Sequence, residues 1–151
     1  MSLKLLKKED FKTAIARDLL NMVLDDMIGE GQFRCVYPWL LNENWVCKIE
    51  RVSGHFSNVQ EWDVWQRVKE TKLAQWFAPV HQISGCGILL LQSRTKPIKE
   101  RELPKQIPAF FCDLKAANWG RLGKRIVCHD YGNNLLMEKG MTTRMKKAVW
   151  R

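Results

Sequence analysis

Cys112-Asp-Leu-Lys-Ala-Ala-Asn-Trp-Gly-Arg-Leu-Gly-Lys-Arg-Ile-Val-Cys-His-Asp-Tyr-Gly132 gathers two aspartates, a lysine and an asparagine around a glycine-centred turn. Leu122-Gly123-Lys124 predicts the tight end of a short hairpin between Asn118-Trp119 and Ile126-Val127. A hairpin returns the chain to its starting point, so Asp113 and Asp130, 17 positions apart (130 − 113), are held at one end of it. Two loop aspartates can also do no more than cap turns. What lies upstream decides between these meanings.

Immediately before the stretch, Arg94–Pro108 is charged, carries three prolines and reads as a linker with one short helix around Lys99–Leu103. Val80–Ile83 and Ile88–Leu91 flank Ser84-Gly-Cys-Gly87, a hairpin pattern. Ser57-Asn-Val-Gln60 has the form of a capping box and predicts a helix running to about Lys72. At 100° per residue, Glu61 shares the side of Val64, Trp65 and Val68. Further upstream, Phe33, Cys35 and Tyr37 alternate, as do Trp45, Cys47 and Ile49, which predicts a meander of strands. Lys48 falls inside one of these strands on the face of Val46, where a buried ammonium needs a partner. Glu61 is the natural one from its apolar face, but Glu70 is a second helix acid, and only geometry decides between them. From Lys8 to Met27, Phe11, Ile15, Leu19, Met22, Val23 and Met27 recur at helical spacing and predict a packed amphipathic helix. Downstream, Asn133–Arg151 predicts one modest basic helix in Glu138-Lys-Gly-Met-Thr-Thr-Arg-Met-Lys-Lys-Ala-Val-Trp-Arg151.

The totals bound the rest. With 151 residues the chain supports one domain with a real core. Twenty-five Lys+Arg against 16 Asp+Glu leave a formal charge of +9, which attracts phosphates, nucleic acid or an acidic protein face. Cys35, Cys47, Cys86, Cys112 and Cys128 form no Cys-x-x-Cys pair and read as reduced, mostly buried thiols. His55, His81 and His129 lack zinc-site spacing. The N-terminal Met1–Phe11 carries charges within every window that could form a signal-peptide core, and no run approaches a bilayer span. The expectation is a cytoplasmic protein without membrane attachment. Seven tryptophans on a basic chain raise a nucleic-acid-binding reading, but Trp39, Trp45, Trp62, Trp65, Trp76, Trp119 and Trp150 sit mostly at periodic apolar positions and suit a core better than base stacking.

The landmarks, taken along the chain, resemble the protein kinase-like family. Gly29-Glu-Gly31-Gln-Phe33-Arg-Cys-Val36-Tyr37 is similar to its glycine-rich loop, with Arg34 in place of the third glycine. Val46-Cys-Lys48 resembles its lysine strand, Asp113-Leu-Lys115-Ala-Ala-Asn118 its catalytic loop, and Asp130-Tyr-Gly132 its metal-binding Asp-Phe-Gly. The resemblance implies ATP with Mg2+. Gly29 and Gly31 would admit the triphosphate, Lys48 would hold its α- and β-phosphates, and Glu61 would orient Lys48. Asn118 and Asp130 would bind the metal, Asp113 would accept the proton of the attacking hydroxyl, and Lys115 would steady the transferring phosphate.

Several positions depart from the family pattern. Phe111-Cys112 stand where His-Arg usually precedes the catalytic aspartate, which removes the arginine that reads a phosphorylated activation segment. Arg34 either narrows the phosphate roof or adds a positive contact. Nothing after Gly132 resembles the Ala-Pro-Glu motif or the helical substrate platform. The expected fold is therefore α+β and kinase-like: an N-terminal helix, a small antiparallel sheet with one helix, and a strongly reduced second lobe. Its expected divisions are an N-lobe over 1–92, a linker over 93–108 and a reduced C-lobe over 109–151. The expected function is ATP-dependent phosphotransfer to an unidentified protein or small-molecule hydroxyl. The alternative is a pseudokinase, a silent kinase-fold protein whose basic C-terminal segment docks on an acidic partner.

Overall fold

The structure, a computed structural model, describes residues 8–52 and 54–151, with side-chain surroundings from residue 13 onward. The charged stretch 1–7 and the side chain of Phe11 lie outside the described residues. The alternating segments form the expected sheet. Strands β1 (Gly29–Glu30), β2 (Arg34–Pro38), β3 (Trp45–Glu50), β4 (Val80–Ile83) and β5 (Leu89–Ser93) associate in the order β1-β2-β3-β5-β4, with every neighbouring pair antiparallel. This makes β3 the central strand and sets Lys48 between Val36 of β2 and Leu90 of β5. Neither neighbour offers a side-chain hydrogen-bond acceptor, so the ammonium is satisfied from outside the sheet.

Helix α1 (Lys8–Val23) ends four residues before the expected Met27. Leu24 pairs with Trp39 instead, and the Leu40 N–H donates to the Val23 carbonyl, so the chain is already extended beside the sheet. The expected packed face is corrected as well. Ala14 is buried and Leu20 and Val23 are half-buried, but Ile15, Leu19, Met22 and Met27 are exposed. Helix α2 (Ser57–Val68) buries Asn58, Glu61, Val64 and Val68. Its expected capping box is not formed. Phe56, in the left-handed region at φ 54°, is the capping position and makes no side-chain cap bond. Ser57 is therefore already one residue inside, and Glu50 Oε1 accepts the Asn58 N–H at 2.6 Å in its place. The helix stops at Val68 rather than Lys72, and the Thr71 hydroxyl accepts the Leu73 N–H to start a 3-10 turn over Lys72–Trp76.

Past β5, the proline-rich segment crosses as a 3-10 turn at Glu100–Glu102 and strand β6 (Gln106–Pro108). The hairpin of the opening stretch consists of β7 (Trp119–Leu122) and β8 (Arg125–Cys128), turned by Gly123 at φ 60°. The expected basic helix is corrected: α3 covers only Leu136–Lys139, and Met145–Lys147 forms β9, paired antiparallel with β6. Gly140 at φ 68° breaks the helix, and two β-branched threonines, Thr142 and Thr143, follow it. One buried cluster then joins Val64, Val68 and Leu90 to Phe110, Phe111, Trp119, Tyr131 and Leu136. Phe77 lies within it, stacked on Phe110 at 5.8 Å and edge-on to Tyr131 at 4.9 Å. This shared core presses the hairpin end against β3 and α2.

Candidate functional site

Lys48 and Glu61 meet where β3 passes under α2. Lys48 Nζ donates to Glu61 Oε2 at 2.9 Å and Oε1 at 3.1 Å, and also to the His129 carbonyl. An ammonium has three N–H donors, and all three are engaged. Glu70 is exposed in the turn just past the end of α2, so Glu61 is the acid that faces the lysine. Glu61 itself is 0% exposed and also accepts from the Tyr131 N–H at 3.1 Å, which ties α2 to Asp130-Tyr-Gly132. Gly132 permits that docking: a β-carbon there would lie 3.3 Å from the Ser57 carbonyl oxygen.

Arg34 completes the cluster. Its Nη2 donates to Glu61 Oε1 at 2.8 Å and to Asp130 Oδ1 at 2.6 Å, while Nη1 donates to Asn58 Oδ1 at 3.1 Å. Asn58 in turn donates to the Ile88 carbonyl at 2.8 Å and the Gly87 carbonyl at 3.1 Å, which fixes its orientation. Burial alone would raise the Glu61 carboxyl, but Lys48 and Arg34 overcome it and hold the group down at about 2. Burial pulls the Lys48 ammonium down and pushes the Asp130 carboxyl up. Arg34 is also opposed by burial, yet Glu61 and Asp130 raise it. Two cations and one carboxylate, Lys48, Arg34 and Glu61, are therefore buried together, with Asp130 at the half-exposed edge of the cluster.

His129 links this cluster to the Asp113–Asn118 segment. Its Nε2 donates to the Ala117 carbonyl at 2.9 Å, so the ring is the Nε2–H tautomer and Nδ1 accepts from the Thr95 hydroxyl at 2.8 Å. Burial holds the imidazole down at about 4. The His129 N–H donates to the Asn118 carbonyl at 2.8 Å, across the mouth of the β7–β8 hairpin. On that side Asn118 Nδ2 donates to Asp113 Oδ2 at 3.2 Å, with Lys115 Nζ at 3.7 Å from the same oxygen and Arg151 at 4.0 Å from Oδ1. Thus Lys48, Glu61 and Asp130 form one group, Asp113, Lys115 and Asn118 a second, and the hairpin base joins them. Gly29 pairs with Val36 in the sheet, and the Gly31 N–H closes the β1–β2 turn on the Arg34 carbonyl at 2.8 Å. Neither glycine has positive φ and neither crowds a neighbour within 3.4 Å, so local backbone geometry does not demand glycine at these positions.

A divalent ion would have to compete with Arg34 in this arrangement. Magnesium takes oxygen ligands in a near-octahedral shell; Asp130 Oδ1 is already held by a guanidinium, while Asn118 is tied to Asp113 through its Nδ2, which leaves its Oδ1 unengaged among the described residues. Among the described residues, no three His, Cys, Asp or Glu side chains gather as a metal site. Asn58, Arg34 as a binder of Asp130, Thr95 and His129 are members of the site that the sequence reading passed over. Asn58 had one usable signal: it shares the i, i+3 face of Glu61 and Val64, although it was absorbed into the supposed capping box.

No family model and no curated protein matches the chain. Among solved structures, it is similar to the aminoglycoside phosphotransferase in the streptomycin–ATP–APH(2″)-IIa ternary complex, with 16% identity and a TM-score of 0.42. That match covers 64% of this chain and 31% of the other, so the chain spans about a third of its length. No helix among the described residues is long and apolar enough to cross a membrane.

Proposed function

We propose that this chain is a reduced kinase-like domain that binds ATP and transfers its γ-phosphate to a hydroxyl. Residues 1–92 act as the N-lobe, 93–108 as the connection and 109–151 as the reduced C-lobe. The observation that carries this reading is the buried Lys48–Glu61 pair, hydrogen-bonded to the backbone on both sides of Asp130, with Asp113 and Asn118 across the same hairpin base. Phosphoryl transfer depends on positioning and charge neutralisation more than on covalent chemistry. Gly29 and Gly31, without side chains, admit the triphosphate at the β1–β2 turn. Lys48 gives up the His129 carbonyl to reach a phosphate, while Glu61 retains it in line. Asp113 accepts the proton of the attacking hydroxyl, and Lys115 beside it neutralises the group in transit.

The test is transfer of radiolabelled γ-phosphate from ATP to hydroxyl acceptors, protein and small-molecule, or to the chain itself. Asp113→Ala is expected to lower the rate by about 10²–10⁴-fold while ATP binding persists. Wild-type protein that binds ATP but transfers nothing to any acceptor would leave the second reading, a silent nucleotide-binding scaffold. That reading is favoured by one observation: all three Lys48 protons are already engaged inside the protein.

A further inference from the structure

Arg34 opens β2 where the β1–β2 turn ends, yet its side chain turns inward and is only 8% exposed. It bridges two acids from distant parts of the chain, 27 and 96 positions away. Asn58, itself 0% exposed, accepts from the other terminal nitrogen and prevents the guanidinium from rotating away freely. Asp130 Oδ1 is thereby paired from within: Lys48 and Arg34 offset the charges of Glu61 and Asp130, which weakens the pull on a dication even though the Asp130 side chain is 51% exposed. A divalent ion approaching Asp130 would meet Arg34 already bound there, and the two cations would compete for one carboxylate.

We propose that Arg34 is the resident cation of Asp130, and that the site accepts a nucleoside triphosphate without a divalent ion. This inference rests on the nucleotide reading above. The guanidinium is a fixed, planar donor suited to both carboxylate and phosphate oxygens, so it can keep Asp130 and present its remaining N–H groups to an entering phosphate. Arg34 is then a positioning and specificity residue that decides which form of the nucleotide binds, free or metal-complexed.

Calorimetric titration with ATP, once with excess MgCl2 and once with EDTA, tests this on wild type, Arg34→Met, Arg34→Lys and Asp130→Asn. Wild type is expected to bind equally in both buffers, within about twofold. Arg34→Met, which keeps bulk and loses charge, is expected to bind at least about tenfold more weakly in EDTA than in magnesium, and Arg34→Lys, which keeps the charge without the planar fork, to show a smaller difference in the same direction. Asp130→Asn frees the guanidinium and is expected to tighten ATP binding in EDTA, and this variant settles the matter should Arg34→Met not fold. Wild-type binding that requires magnesium, or an Asp130→Asn variant that loses binding, overturns the inference while the nucleotide site stands. Absence of ATP binding by wild type in both buffers overturns both.

Discussion

Lys48 is 3% exposed between two apolar strands, so its charge persists only because Glu61 and the His129 carbonyl replace the water it lost. Glu61 is shared by two cations, and its removal leaves both buried without full compensation. Glu61→Ala is therefore expected to destabilise the fold by about 3–5 kcal/mol in urea denaturation, and a loss below about 1 kcal/mol would contradict the buried-cluster account. His129 sets a pH dependence. Its folded value of about 4 lies below the ordinary 6.5, so between these values the unfolded chain binds more protons than the folded one. Stability is then complete above about pH 6.5 and falls as pH drops towards 4, by up to about 3 kcal/mol. Denaturation midpoints measured across this window should show the slope in wild type and a flatter profile in His129→Gln.

Where elements meet, glycine and tryptophan carry the contacts. Gly120 begins the approach of β7 to the connecting segment: a β-carbon there would sit 2.5 Å from Thr95 Oγ1 and 3.0 Å from the Lys96 carbonyl oxygen. Gly120→Ala is expected to cost about 1–3 kcal/mol through overpacking and, by displacing Thr95, to disturb the hydrogen bond to His129. Thermal denaturation of the variant checks the first effect. The C-terminal segment is held rather than free: Trp150 donates to the Pro104 carbonyl at 3.0 Å and packs edge-on against Trp119 at 5.2 Å. Lys146 donates to the Phe111 carbonyl at 2.5 Å, while Arg144, Lys147 and Arg151 remain exposed. Trp150→Ala should lower stability by about 2–3 kcal/mol in the same assay, less than full burial would cost because the ring is half-buried. An unchanged midpoint would mean that the contacts of Trp150 with Pro104 and Trp119 contribute nothing.

Across the whole molecule, the proposed site lies at the junction of the five-stranded sheet, α2 and the β7–β8 hairpin, all joined by one core. A ligand bound at that junction couples to global unfolding, because the site exists only when all three are assembled. ATP at about 100 times its dissociation constant is expected to add about 2.7 kcal/mol and raise the melting temperature by about 5–10 °C. A scan with ATP that leaves the midpoint unmoved at saturating concentration both in EDTA and in magnesium would count against a nucleotide site at this junction.

Strand alternation around Lys48, the apolar face that carries Glu61 and the Gly123 turn were legible in the sequence because each is written within a few residues, where side-chain period and backbone preference act directly. The end of α1 at Val23, the cap at Phe56 and the strand at Met145–Lys147 were not, since each depends on a partner segment: Trp39, Glu50 and β6 respectively. Arg34 shows the limit most sharply. Its position in a glycine-rich turn was visible, but its target was not, because Asp130 lies 96 positions away and only the packed core brings the two together. The sequence by itself thus determined the central strands, the helix bearing Glu61, the Gly123 hairpin and the candidate residues Lys48, Asp113 and Asp130. Tertiary structure alone decided which charges face one another, because desolvation and pairing act between residues that have no local relation along the chain.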